Sequence, residues 1–288
     1  MSLDVLVVSP HLDDAVLSVP GYLRSRALNG DRVAVLTVFS EGDDGYAARR
    51  AEDLDALALL NVEAVHLELR DAPVRRGLQR SFRDLVLGEL AEDDADAAVV
   101  TRTLVDRIAA LAPAVTLLPL GVGEHIDHRI VHAAHAAIPG RVGFYEDRPY
   151  ARVEHAVRAR LARLGATVDG RAIAPSCRAV DEFLAAALVA PYVRAYVPAA
   201  EREACLRPLA AALAAPTPAS GLVLRRERLF FTPAVRAAAA RAVQAYASQL
   251  ADLFGDGEVA AWFAEPYTER LLWRDGAGTP GGSMTRRA

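Results

Sequence analysis

The sequence predicts an α/β protein: a mostly parallel sheet flanked by helices, followed by a mainly helical C-terminal part. Three observations carry this. Apolar, Val- and Leu-rich runs recur at 5–8, 33–39, 65–69 and 114–119, as strands buried on both faces of a parallel sheet do. Stretches with helical spacing separate most of them, giving the alternation of βαβ units, right-handed crossovers and a Rossmann-like sheet. After Tyr145 the pattern turns to Ala- and Arg-rich helix.

The first run, Val5-Leu6-Val7-Val8, reads as a central strand. Pro10 has no N–H for a ladder, so the strand should stop there and release His11 at its carboxyl end, the edge where open α/β sheets bind ligands. Residues 15–28 have helical spacing, disturbed at Pro20-Gly21. Asn29-Gly30-Asp31 is a turn, 33–39 the second strand, and 46–60 an amphipathic helix ending at Asn61, which tolerates a left-handed cap. Residues 65–69 are a third strand. Helical patterns at 80–91 and 99–111 surround a solvated acidic turn at 92–96. Then come a strand (114–119), a helix (126–138) and a strand (142–145). Further helices are expected at 152–164, 182–192, 199–213 and 233–254, with an edge strand or hairpin at 223–230. No repeat or linker divides the chain, so residues 1–275 are expected to form one domain and 276–288 a flexible tail.

A hydrophobic fraction of 52% supplies a sizeable core, and a net charge of −4 disfavours nucleic acid or an anionic membrane as partner. Every strong cation is Arg, which reads as a composition bias. The opening apolar run is too short for a signal peptide, and no stretch is long enough to span a membrane. Two cysteines, Cys177 and Cys205, are too few for a disulfide framework or thiolate metal site. These features point to a cytoplasmic protein acting on a small molecule, with self-association into a homo-oligomer left open. The G-x-G-x-x-G turn is missing after the first strand, which weakens a dinucleotide reading.

Chemistry concentrates in two stretches. Pro10-His11-Leu12-Asp13-Asp14 follows the first strand, and Glu124-His125-Ile126-Asp127-His128 follows the strand at 114–119. Either alone reads as a capped helix start with a satisfied histidine. Together, at the ends of two buried strands, they point to a metal site. His11, Asp14 and His128 provide two imidazoles and a carboxylate, enough for a catalytic Zn²⁺ with an open position. Asp13 is then free to act as general base, and His125 to stabilise an oxyanion and protonate a leaving amine, with Asp127 orienting it and raising its pKa. The same ligands suit a non-haem Fe(II) enzyme, or a protein that binds a metal or sugar without turnover, but both leave Asp13 and His125 idle. His132 and His135, further along the helix, turn away from the sheet edge.

These two motifs resemble those of the LmbE-like, or PIG-L, family of zinc-dependent N-acetylglucosaminyl de-N-acetylases. The resemblance implies a Rossmann-like fold and removal of acetyl from an N-acetylated amino sugar. It also implies Zn²⁺ (Fe²⁺ or another divalent ion remaining open) on His11, Asp14 and His128, with Asp13, His125 and Asp127 catalytic. Arg49-Arg50-Ala51-Glu52 is similar to the family's Arg-x-x-Glu helix, which places Arg49 on the substrate side. Tyr145-Glu146-Asp147-Arg148-Pro149-Tyr150 resembles a stretch near the sugar in some members, making Tyr145, Glu146 and Asp147 substrate-binding candidates. Tyr246-Ala247-Ser248-Gln249 resembles the family's C-terminal Tyr-x-Ser-Gln helix. Mycothiol-precursor members carry Tyr two residues before the first His of the second motif. Gly123 stands there in this chain, which favours another acetylated amino sugar.

Overall fold

A computed structural model describes residues 2–75, 95–173, 177–215, 220–255, 259–264 and 266–275. β1 (Val5–His11) leads into two short helices, α1 (Asp14–Ser18) and α2 (Pro20–Leu28), broken at Val19 by the Pro20-Gly21 pair. β2 (Val33–Glu41) precedes α3 (Tyr46–Leu60), which ends at Asn61 in the left-handed conformation (φ 59°), as the sequence suggests. Next come β3 (Glu63–Arg70), the single turn α4 (Ala72–Arg75), α5 (Ala95–Leu111) and β4 (Val115–Pro119). They are followed by α6 (Ile126–Ala133), β5 (Arg141–Tyr145) and α7 (Ala156–Arg163). A small hairpin of β6 (Thr167–Val168) and β7 (Arg171–Ala172) precedes α8 (Cys177–Val189), α9 (Pro191–Tyr196) and α10 (Arg202–Ala214). β8 (Val223–Phe230), α11 (Pro233–Gln244), α12 (Ala247–Phe254), α13 (Val259–Trp262) and β9 (Thr268–Arg274) complete the described elements.

The sheet runs β3-β2-β1-β4-β5-β9-β8-β6-β7. The first five strands are parallel, with Val5 paired to Val33 on one side and Val115 on the other. The chain moves outward from β1 in both directions, so the crevice at the carboxyl ends of β1 and β4 is the topological switch point where such sheets bind ligands. β1 alternates between two cores: Leu6 and Val8 pack with Leu104, Ile130 and Phe144, whereas Val5 and Val7 pack with Leu23, Leu57 and Val243. Burial on both faces explains its unbroken apolar run. Among the described residues no helix is long and apolar enough to cross a membrane.

Several boundaries differ from expectation. β1 continues through Pro10 to His11, because its pairing with β4 is already over at Val7 and its ladder with β2 skips Pro10. β8 is not an edge strand, being paired with β9 and β6. The helix expected over 126–138 stops at Ala133 and tightens into a 3₁₀ turn at Ala134–Ala136. That at 152–164 starts only at Ala156, after His155 in the left-handed region. The pattern at 182–192 belongs to two helices, the second started by Pro191 at its first turn, and 233–254 divides at Ala245-Tyr246. β9 was not foreseen. The helix expected at 80–91, most of the acidic turn at 92–96 and the tail at 276–288 lie outside the described residues.

Candidate active site

Two loops leave adjacent strands at one sheet edge. After β1, Ser9 Oγ donates to the His11 carbonyl (2.7 Å) and accepts the Ala15 N–H (3.0 Å), pinning the strand end to the start of α1. Within this tight turn Asp13 sits at φ 147°, a region L side chains seldom enter. The adjacent carboxylates therefore part. Asp14 Oδ2 folds back to accept the His11 backbone N–H (2.8 Å) and lies 3.1 Å from His11 Nδ1. Asp13 turns towards Arg49 of α3, whose Nη2 is 3.6 Å from its Oδ2.

After β4, His125 caps α6, its Nδ1 accepting the Asp127 backbone N–H at 3.3 Å. His128, fully buried, presents Nδ1 to Asp147 Oδ1 (2.7 Å) and Nε2 towards Asp14 Oδ2 (3.2 Å). His11, Asp14 and His128 thus meet. The His125 ring joins them, with centroids 5.1 Å from His11 and 5.6 Å from His128.

The chemistry of these imidazoles and carboxylates suits a divalent cation. His128 Nε2 is buried and makes no hydrogen bond, although the Asp14 carboxylate stands beside it. Its other nitrogen is held by Asp147, the carboxylate–imidazole arrangement that fixes tautomer and direction in metal-binding histidines. One nitrogen each of His11, His125 and His128 lies within 4.8 Å of the others.

The charges are strongly coupled. Burial pushes Asp13 up to about 7, helped by the Asp14 charge and opposed by Arg49. Burial also works against an ionised Asp14, but the His128 and His11 imidazoles outweigh it and hold its carboxyl far below the usual range. For His128, burial favours the neutral ring, yet Asp14 and Asp147 raise its pKa to about 9. His11 is raised too, since Asp71, Asp127 and Asp14 overcome its desolvation. His125 goes the other way: burial and then the neighbouring His11 push it down to about 4.

Four expectations need correction. Asp127 meets the His125 ring through its backbone N–H and not through its carboxylate. Its carboxylate, fully buried, instead takes His11 Nε2 (3.1 Å), the Ala72 N–H (3.0 Å) and Arg75 Nη2 (2.6 Å), and the His125 pKa falls where a rise was expected. Tyr145 is buried under the sheet edge, its hydroxyl donating to the Val8 carbonyl (2.9 Å). Glu146 pairs with Arg270 (2.6 Å). Asp147 accepts N–H groups of Gly121 and Val122 on one oxygen and faces His128 with the other, so it braces the second loop. Arg49 does reach the cleft.

Sequence reasoning missed Asp71, which follows β3. Its Oδ1 is 3.3 Å from His11 Nε2, and it accepts a hydrogen bond from the Tyr46 hydroxyl. Tyr150 was also unassigned. Its ring meets His128 edge-on (5.6 Å) and fills the space beside Gly123, where an added Cβ would come within 2.7 Å of it. His132 is turned into the core, its Nδ1 on the Pro119 carbonyl at 3.0 Å. The Arg-x-x-Glu and Tyr-x-Ser-Gln stretches meet: Ser248 Oγ donates to Glu52 (2.7 Å) and the Tyr246 hydroxyl to Asp53 (2.7 Å). They tie α12 to the helix that carries Arg49.

Residues 6–138 match the family model described as PIG-L: GlcNAc-PI de-N-acetylase. A 168-residue stretch is 30% identical to the 2'-N-acetylparomamine deacetylase of Streptomyces fradiae, covering 53% of this chain and 59% of that one. The chain thus spans less than two thirds of that curated relative. Among solved structures, a deacetylase of the teicoplanin biosynthesis pathway superposes with a TM-score of 0.60 at 21% identity, over 95% of this chain and 99% of the other. The A40926 pseudoaglycone deacetylase Dbv21 gives 0.56 at 22%, over 95% and 97%. At these identities the structural likeness speaks for the fold.

Proposed function

We propose that this chain, whose residues 6–138 match the PIG-L family model, is a member of the PIG-L, or LmbE-like, family and a metal-dependent hydrolase that removes acetyl from the nitrogen of an amino sugar or its glycoconjugate. The observation that carries this reading is Asp14 Oδ2 standing between His11 Nδ1 and His128 Nε2, with Asp13 and His125 beside them. His11, Asp14 and His128 would hold the ion, Zn²⁺ or Fe²⁺. When bound, it supplies a Lewis acid and lowers the pKa of a coordinated water to roughly 7.

The remaining steps belong to the protein. Asp13, with its pKa near neutrality, accepts the proton of the attacking water and returns it to the sugar nitrogen as the C–N bond breaks, releasing acetate and the free amine. Because His125 Nδ1 already accepts a backbone N–H, its ring proton resides on Nε2. That N–H donates to the oxygen that gains charge as the carbonyl becomes tetrahedral. The lowered pKa keeps His125 neutral beside the cation, so it works as a hydrogen-bond donor without carrying charge of its own. Asp71 and Asp127 hold His11 from its far nitrogen. An amino sugar carried on an aminoglycoside-like or other glycosylated product fits the activity in the curated relative's name.

The test is acetate release from 2'-N-acetylparomamine and N-acetylglucosamine by protein stripped of metal and then reloaded with Zn²⁺ or Fe²⁺. Activity should vanish on chelation and return on reloading. Asp13→Asn should keep the metal but lose about 10²–10⁴-fold in kcat. Full turnover by metal-free protein would overturn the reading.

A further inference from the structure

Behind His125 lies a cavity of about 50 Å³ whose walls are almost wholly apolar. Tyr150, Phe183, Tyr192, Leu206 and Leu209 line it with His125, and the His125 and Tyr150 rings also contact His128. Its charged members and Tyr196 are already paired. Glu124 and Arg160 face each other at 2.9 Å, Arg160 Nε donates to the Leu120 carbonyl, and the Tyr196 hydroxyl donates to Asp252 at 3.0 Å. A pyranose is too large for this space and would bury more hydroxyls than its few polar atoms could bond, which is costly. A hydrocarbon tail loses nothing by entering.

We propose that this cavity receives the alkyl part of the acyl group and sets an upper limit on its length, a statement that rests on the deacylase reading above. Water needs roughly 10–15 Å³ of such space, so the cavity admits about three to five atoms of that size. The alkyl parts of acetyl, propionyl and butyryl fit with room to spare, and the seven-carbon tail of an octanoyl group does not. The placement agrees with the chemistry, since an acyl carbon near the cluster must direct its oxygen to one donor and its alkyl group to a neighbouring apolar space. Phe183, Tyr192, Leu206 and Leu209 come from α8, α9 and α10, outside the stretch matched by the family model. The limit is therefore a property of this chain's own C-terminal helices.

The test uses a series of N-acylglucosamines from acetyl to octanoyl with the Zn²⁺-loaded protein, measuring both kcat/KM and calorimetric Kd. Propionyl and butyryl should match or exceed acetyl. Octanoyl should fall at least about 30-fold below butyryl, in line with the discrimination a filled apolar pocket gives. Leu209→Ala should raise the hexanoyl-to-acetyl ratio about tenfold, and Ala159→Leu should lower the butyryl-to-acetyl ratio. The wild-type series decides the matter even if either variant fails to fold. A flat dependence on chain length, binding that is absent throughout, or a folded Leu209→Ala with an unchanged profile would overturn the assignment. Length-selective binding without hydrolysis would uphold the pocket and remove the deacylase reading instead.

Discussion

Asp147 braces His128 from behind: its Oδ1 lies 2.7 Å from His128 Nδ1, while its Oδ2 accepts the N–H groups of Gly121 and Val122 at 2.8 and 3.0 Å. One carboxylate thereby fixes both the shape of the second loop and the direction of a ligand ring. Asp147→Asn keeps the size but weakens the acceptor facing His128. Metal affinity should drop about 10–100-fold, as measured by competition with a chromogenic chelator, with the circular dichroism spectrum unchanged. Unaltered affinity would show that His128 is oriented by packing alone.

Metal loading should depend steeply on pH. Burial opposes the charged form of His128, but Asp14 and Asp147 outweigh it and hold its pKa at about 9 in the metal-free protein. A cation must displace that proton. Below about pH 9 apparent affinity should therefore rise with pH, by about tenfold per unit for each proton displaced, and level off above. Calorimetry in buffers of different ionisation enthalpy counts the protons released. An affinity constant from about pH 6 to 8 would contradict the proton-bound His128.

Arg49 should tune the base. Burial and Asp14 push Asp13 up to about 7, and the Arg49 guanidinium 3.6 Å away pulls it back. Arg49→Met removes the opposing positive charge, so the Asp13 pKa rises further. The acid limb of the kcat/KM profile should move to higher pH by about one unit. An unmoved limb would assign that ionisation to another group.

Gly123 should tolerate no side chain. It sits at φ 89°, and an added Cβ would press on the Tyr150 ring at 2.7 Å. Gly123→Ala combines left-handed strain with a collision beside His125, and should cost about 1–3 kcal/mol of stability in urea unfolding. A neutral effect would mean that the Tyr150 ring moves aside freely.

Where the sequence speaks clearly, the cause is local. His11 ends β1 and His128 lies in the first turn of the helix that follows β4, so their shared edge follows from strand direction, and Asn61 stops α3 through its own backbone preference. Asp71 could not be read this way. It closes β3, and only the order β3-β2-β1 together with the following turn brings it to His11. Tyr145, Glu146 and Asp147 show the reverse difficulty, since a polar stretch after a strand looks the same whether it faces a cleft or braces a neighbouring loop. β9 escaped notice because its Glu269 has the look of a surface residue. That carboxylate is fully buried, accepting the N–H groups of Gly21 and Tyr22 at 2.7 and 2.8 Å and a bond from the Tyr267 hydroxyl at 2.6 Å.

The position of β9 also bears on how the protein is made. It lies between β5 and β8 and, through Glu269, holds the start of α2. During translation the loops that carry His11 and His128 emerge early, yet β5 keeps a bare hydrogen-bonding edge until residue 274 has cleared the ribosome. An open edge of that kind invites pairing with other nascent strands. The covering of that edge thus falls to a segment more than 120 residues downstream of the strand it pairs with, and β5 stays open while all of them are made.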